Sequence, residues 1–527
     1  MMESKPHDVI TRTESVTYCL YFLIIIGTMA FLYRQLYFGP PFFELSDYAV
    51  NAIQIDYAKH FNELFGNYSR WRFNHPGPAF FYTYALGEYL FYDLLPIFAS
   101  PYQAHAFMGL ILQTFFLTVA AGTVTILTNS PFTGLGLALF SIMQFNSPDI
   151  WPPHVIVWPL FSLIISAAAV SSGYRRFVPL MLISGGFLIH GHVAQPLFVM
   201  PLTALAFALM LRQPHATAVA NSRVWVISAG VILLFALPLL IDLSSWDKSN
   251  LAQILDHIRT HSGERKPLAA SVGYFLNFLL HEFKPPVDKI DDSHFSLAEF
   301  SGSHAMMLLL WGVVLVIPTV IAFRKPPHAA RHNLAATLFV RRLILFSWLA
   351  TLLSIIWGVI QDGPMYEFNA KFNYLLIVAL CIPAILLVAT WLEQLPFQRN
   401  LFRLAAGFAV LIISLSPTQK TDAADPESND PMMPTRVARQ LSISGTRPTL
   451  LLFRKKDWPK AAGVALALHR QGVPFLVTPE WGFMFRKNVA PQLPQDLSTL
   501  NANVWVVKTS ANGVDTELEE LMNTGNR

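Results

Sequence analysis

Charge is what this chain has least of. Asp, Glu, Lys and Arg together make up 13% of its 527 residues, about half the roughly 25% usual in a soluble domain. That scarcity excludes an ordinary water-soluble enzyme. With 53% hydrophobic residues and a mean hydropathy of +0.43, it leaves a polytopic membrane protein. Cysteine is nearly missing. Cys19 and Cys381 lie far apart inside apolar runs, which excludes a disulfide framework or a zinc-finger pattern. The membrane part has no Gly-rich phosphate loop, nucleophile elbow or dinucleotide fingerprint, so a soluble nucleotide-sugar donor finds no obvious site. No small-residue cleavage site follows the first apolar run, which predicts a retained span rather than a removed signal. No internal repeat is visible, which weighs against an inverted-repeat transporter. The net charge of +4 sits in short basic loops between apolar runs. It signals topology and predicts no nucleic-acid partner.

What the sequence has is apolar runs near the 17–25 residues that a bilayer crossing needs. They fall at 17–37, 103–127, 131–147, 154–172, 177–191, 195–212, 223–243, 303–323, 342–360, 372–394 and 401–416. The loops between them alternate. One set is basic: Arg175-Arg176, 212–223, 324–342 and Gln398-Arg399. The other set, 38–102, 148–153, 244–302 and 361–371, is aromatic and acid-containing. With these runs as spans every basic loop falls on one side, which the positive-inside rule makes cytoplasmic. The fold class that follows is a polytopic α-helical membrane protein. It has about 11 transmembrane helices, periplasmic surface helices and a small C-terminal α/β extramembrane domain. The boundary is expected near 416, with 1–416 in the membrane part and 417–527 outside. In the C-terminal part, 449–454, 473–478 and 504–508 read as strands. Residues 459–469 read as a helix, with Asp457 as its cap and Pro459 in its first turn.

The loop at 38–102 is the richest. It opens Pro40-Pro41-Phe42-Phe43-Glu44-Leu45-Ser46-Asp47-Tyr48 and returns through Asn74-His75-Pro76-Gly77-Pro78 to Phe80-Phe81-Tyr82. Two carboxylates three residues apart leave a span together, and acids held at a membrane surface usually do chemistry. Ser46 is placed to cap a helix beginning at Asp47. Val50, Ile53, Ile55, Phe61 and Leu64 among polar neighbours predict that this helix lies on the membrane surface. A second surface or half-inserted helix is expected over 79–95, after the Pro76-Gly77-Pro78 break. In the loop at 244–302, residues 267–283 are apolar enough for another.

An acid just past the first span, a surface helix, then a His-Pro turn into aromatic sequence resembles the GT-C class of membrane glycosyltransferases. The pattern is most like protein mannosyltransferases and lipid A aminoarabinose transferases. The acid is Glu44 or Asp47, and the turn is His75-Pro76-Gly77-Pro78, where the Gly departs from the commonest form. The resemblance covers the topology to about residue 395. It implies a donor sugar on a polyprenyl phosphate or diphosphate and chemistry at the outer membrane face. Such a donor already has a good leaving group. The enzyme needs a base near the acceptor hydroxyl and cations near the phosphate. Asp47 is the candidate base and Glu44 the second catalytic candidate.

Further outer-face residues are candidates for binding substrate. They are His75; Asp149 and His154 in the short turn 146–154; His190 and His192; Glu367 and Lys371; and Arg259 and Arg265. Lys371, a cation at the edge of an apolar run, suits phosphate or membrane anchoring. The two histidines two apart give only a weak metal signal. A divalent metal is left open, because no ligand spacing fixes one. The expected partners are a polyprenyl-phosphate sugar donor, a glycan, lipid or protein acceptor, and membrane lipids. The expected location is a bacterial inner (plasma) membrane, with the N-terminus cytoplasmic and the C-terminal domain periplasmic. Two other functions stay open: a membrane transporter or flippase for a lipid-linked or small polar substrate, and a non-catalytic scaffold. A transporter should carry ionisable groups at mid-membrane, whereas the polar residues here gather at one face.

Overall fold

The computed structural model describes residues 11–145, 150–213, 222–244, 249–261, 265–280, 289–290, 302–324, 334–395, 429–485, 489–494, 497–510 and 516–522. Among these, seven helices are long and apolar enough to cross a bilayer: Arg12–Leu32, Pro101–Thr128, Pro152–Ser171, Ser222–Leu243, Ala305–Arg324, Ala336–Ile360 and Asn373–Glu393. Three shorter apolar helices, Pro131–Gln144, Val178–Gly191 and Pro196–Leu211, stand where further spans are expected. The expected run at 401–416 lies outside the described residues. Helix Val157–Ser171 is the hub. Every residue in it is buried, and it packs against helices 101–128, 178–191, 196–211 and 334–360. Its Ala167, Ala168 and Ala169 let neighbouring backbones come close, which is how helices associate where no water drives them together.

The two ends of the bundle differ. At one end the capping box of Thr11 and Glu14 opens the first helix, and Arg176 from the 175–177 turn grips Glu14 at 2.7 and 3.1 Å. The first helix then carries the chain about 30 Å to the aromatic loops. One detail of the loop pattern is corrected. Arg341 and Arg342 are not in a loop but within helix Leu334–Ile360. Arg341 reaches back to donate to the Phe323 carbonyl at 3.0 Å, as a long cationic side chain near a helix end can.

The first-loop helix forms over Ser46–Lys59, but it does not lie open on a membrane surface. Tyr48 and Ile55 join the core of the membrane bundle, while Ala49, Val50, Ala52 and Ile53 join the core of the C-terminal unit. The pattern Val50, Ile53, Ile55 is therefore two buried faces rather than one lipid face. Ser46 makes no cap. Leu45 takes the N-cap position without a side-chain bond, and Ser46 sits at φ +54°. The second helix forms over Ala79–Glu88 and ends in a π-helical turn over Tyr89–Leu94. The helix expected within 267–283 forms over Leu268–Leu279.

Strand β1 (Lys289–Ile290) pairs antiparallel with β2 (Met365–Tyr366), tying the 244–302 loop to the 361–371 loop. The C-terminal unit has four strands: β3 (Thr449–Leu452), β4 (Phe475–Val477), β5 (Asn503–Thr509) and β6 (Thr516–Met522). Their order is β4-β3-β5-β6, with β6 the antiparallel edge. Helices Met433–Ser444 and Trp458–Arg470 pack on it. Pro459 is in the first turn as expected. The Asp457 side chain makes no cap bond there; it accepts from the Thr509 N–H at 2.9 Å and from Arg454 Nε at 3.0 Å.

Three ties hold this unit on the first loop. Arg470 grips both oxygens of Glu44 at 2.8 Å. His469 Nε2 meets Asp56 at 2.8 Å. The Phe43 N–H donates to Asn429 at 2.9 Å, and the Asp430 N–H to the Phe43 carbonyl at 3.1 Å.

Candidate active site

A cavity of about 700 Å³ opens where the first loop, the Trp151 turn, helix Asn250–His261 with Arg265, and the 357–369 segment converge. Its size suits a small-molecule site. Asp47 reaches it from the first turn of helix 46–59, directly after the left-handed Ser46. A non-glycine residue in that conformation costs roughly 1–2 kcal/mol, and such strain gathers at functional sites. Asp47 accepts from the Tyr68 hydroxyl on one oxygen and from Trp151 Nε1 at 2.9 Å on the other. Burial and the neighbouring Asp47 carboxylate push the Tyr68 phenol well above its ordinary range, so Tyr68 stays a donor.

Residues 66–75 double back as a short antiparallel loop. The His75 N–H donates to the Asn67 carbonyl at 2.7 Å, and the Gly66 N–H to the His75 carbonyl at 2.9 Å. The Asn250 carboxamide clamps Asn74 from outside, taking its N–H at 2.7 Å and giving to its carbonyl at 2.8 Å. Arg70 and Trp71 sit near the tip of this loop and line the cavity. The guanidinium of Arg70 lies 5.2 and 5.7 Å from the ring centres of Tyr366 and Phe368.

His75 and His192 line the cavity with ring centres 4.4 Å apart. Loss of hydration lowers His75 well below its ordinary range, with His192 adding to the effect. The same cause lowers His192 to about 4. Both rings are therefore neutral at neutral pH. His75 Nδ1 accepts from the Val193 N–H at 3.2 Å, and His192 Nδ1 from the Ala194 N–H at 3.1 Å. An imidazole that accepts at Nδ1 carries its proton on Nε2. Each ring then presents an N–H donor there, not a lone pair for a metal. Among the described residues, no group of three His, Cys, Asp or Glu side chains is placed to hold a metal ion.

The remaining expected site residues divide. Arg265 lines the cavity. His154 and Lys371 do not line it, but they pair at 2.8 Å behind Trp151, with Lys371 Nζ 5.6 Å from that indole. Trp151 thus touches Asp47 with its edge and Lys371 with its face. Glu367 accepts from the Tyr374 hydroxyl at 2.6 Å, outside the lining. His190 bonds the Phe235 carbonyl at 2.8 Å, and its ring leaves no room for a side chain at Gly77. That close approach accounts for the glycine between the prolines. Arg259 is exposed and outside the lining. Asp149 lies outside the described residues. Glu44, expected beside Asp47, does not line the cavity: it is fully buried and its carboxylate is taken by Arg470.

Sequence reasoning passed over Tyr68 and Arg70; Trp151 and Asp362 stand in turns expected at the cavity but were given no role of their own. Asp362 lines the cavity with its carboxylate 2.8 Å from His257 Nε2. His257 stacks on His261 at 4.1 Å and lies beside Trp71 at 5.1 Å. The spacing of His257 and His261, one helical turn apart, was the available signal.

The bundle, the loop helices and the C-terminal sheet make a fold of the GT-C type. It superposes on ArnT from Cupriavidus metallidurans, solved bound to undecaprenyl phosphate, with a TM-score of 0.51 and 11% sequence identity. The match covers 95% of this chain and 93% of that one. An oligosaccharyltransferase of Archaeoglobus fulgidus in the apo form matches with a TM-score of 0.41 and 11% identity over 93% and 69% of the two chains. AglB of the same organism, in complex with an inhibitory peptide and a dolichol-phosphate, matches with a TM-score of 0.37 and 12% identity over 94% and 70%. At such identities the likeness is one of fold. No protein-family model matches the sequence, and no curated protein matches it.

Proposed function

We propose that this protein is a glycosyltransferase that moves a sugar from a polyprenyl-phosphate carrier to an acceptor hydroxyl at the extracytoplasmic membrane face, with Asp47 as general base. The observation that carries the reading is the unequal state of the two carboxylates on the cavity wall. Asp362 is committed to the imidazole of His257. Asp47 is aimed by two neutral donors, one on each oxygen, and a carboxylate oxygen has a second lone pair to receive a hydroxyl proton.

The step balances simply. The acceptor oxygen forms a bond to the anomeric carbon and its proton passes to Asp47. The bond from the anomeric carbon to the phosphate oxygen breaks, and polyprenyl phosphate leaves with the electron pair. Arg70 and Arg265 on the cavity wall face the growing phosphate charge; cations in a site poor in water stabilise such charge strongly. Lys371 adds positive potential from behind Trp151. His75 and His192 offer neutral N–H donors to sugar hydroxyls. The fold shared with ArnT, whose structure holds undecaprenyl phosphate, supports a lipid phosphate as the carrier class.

The test is turnover by the purified protein, reconstituted with a panel of polyprenyl-phosphate-linked sugars and acceptors. Release of polyprenyl phosphate should depend on acceptor. Asp47→Asn should lower kcat about 100-fold or more while donor KM stays within a factor of about two. Full activity in that variant would remove Asp47 as base. No release from any donor would remove the reaction.

A further inference from the structure

A second cavity, of about 360 Å³, lies between the first loop and the C-terminal unit. It adjoins the catalytic cavity, because Phe73 lines both. The size falls within the roughly 300–1,000 Å³ of small-ligand pockets. Its first-loop wall carries the amides of Gln54 and Asn62. Its other wall carries the rings of Phe475, Phe483 and Phe485 from the C-terminal unit. The cavity exists only while that unit is docked.

One polar atom beside it lacks a partner. Gln54 gives its Nε2 hydrogen to the Gly66 carbonyl at 3.2 Å. Its Oε1 is buried and has no hydrogen-bond partner among the described residues. A buried acceptor left unpaired costs roughly 1–3 kcal/mol, which a hydroxyl donor would recover. The rings offer apolar surface, which the C–H side of a pyranose can cover. The lining holds one acid, Glu63, and one base, Arg72, so no net charge draws an anion there. An unpaired acceptor, apolar ring surface and balanced charge together suit a neutral sugar ring. Phe483 also packs on Tyr68 at 5.7 Å, and Tyr68 bonds the candidate base.

We propose that this second cavity is an acceptor subsite that holds a neutral sugar ring one or two units away from the ring being glycosylated, so that the acceptor is an oligosaccharide or longer glycan. The proposal rests on the glycosyl-transfer reading, and its test separates the two. Full-length Asp47→Asn protein, in a detergent without a sugar headgroup, is titrated with α-1,4-glucan, β-1,4-glucan and α-1,6-mannan oligosaccharides of one to four residues. Binding is followed by saturation-transfer NMR. At least one series should bind about tenfold more tightly at two or three residues than at one. Phe483→Ala and Gln54→Leu should each cut that gain about fivefold, and Phe483→Trp should restore it. Melting curves of both variants check that the C-terminal unit stays folded; should Phe483→Ala unfold it, Gln54→Leu alone decides.

Affinity independent of chain length, or a length gain unchanged in the folded variants, overturns the subsite. So does Phe483-dependent binding of a Ser/Thr peptide in place of any oligosaccharide. Length-dependent binding with no donor turnover by the wild-type protein would sustain the subsite and sink the transfer reaction instead.

Discussion

Among single residues, Trp151 does the most to organise the cavity. It aims Asp47 with its N–H and carries Lys371 on its face. Trp151→Phe keeps the face and removes the donor. A hydrogen bond to a charged group contributes about 1.5–3 kcal/mol, so kcat should fall at least about tenfold with donor KM nearly unchanged. Steady-state kinetics check this; an unchanged kcat would mean Asp47 needs no such aim. The histidine pair makes a second prediction. Both folded-state values lie below the ordinary 6.5, with His192 at about 4. The unfolded chain therefore binds more protons through that window. Stability is full above pH 6.5 and is lost as pH falls towards 4, by up to about 1.4 kcal/mol per unit for each ring. Melting temperatures across the window should fall with acid, less steeply in His192→Asn. A rise would contradict neutral rings. That Asp47 would reach a cavity was legible from its place after a span. Tyr68 and Trp151 were not, because nothing local ties positions 21 and 104 residues away to one carboxylate.

For elements, the decisive one is helix 46–59. Its apolar positions were legible, and its surroundings were not. A period of 3.6 gives the faces that want burial, but not whether lipid, the bundle or another domain buries them. Here two cores meet on it. The Glu44–Arg470 pair pins that joint, its carboxylate fully buried and its guanidinium partly exposed, with Arg470 also lying 5.4 Å from the Phe43 ring centre. Arg470→Ala leaves a buried carboxylate unpaired, which costs about 3–5 kcal/mol. The C-terminal unit should come off the first loop, seen as a lowered melting temperature and new protease cleavage between the two. The double variant Glu44→Leu, Arg470→Met should recover most of the loss, since an apolar pair of similar size removes the stranded charge. An unaffected single variant would show that the apolar contact alone holds the joint.

Across the whole molecule, the long apolar helices, the β-strands 449–452, 475–477 and 503–509 and the basic end at Arg176 were readable, because hydropathy and charge act locally. Convergence was not. His154 and Lys371, expected on the cavity wall, meet behind it, and Glu44 is spent on docking. Those outcomes depend on contacts between segments hundreds of residues apart. The molecule that results has its large cavity and the histidine pair at one end of an apolar bundle, beside a small sheet domain that helps wall a second cavity. That arrangement suits the proposed substrate, whose tail would stay beside the bundle while its headgroup enters the cavity. A cryo-electron microscopy map of the Asp47→Asn protein with a polyprenyl-phosphate sugar tests this most directly. The sugar should lie in the 700 Å³ cavity beside residue 47 and the histidine pair, with its phosphate towards Arg70 and Arg265. A headgroup bound elsewhere on the bundle, with that cavity left to solvent, would contradict the account.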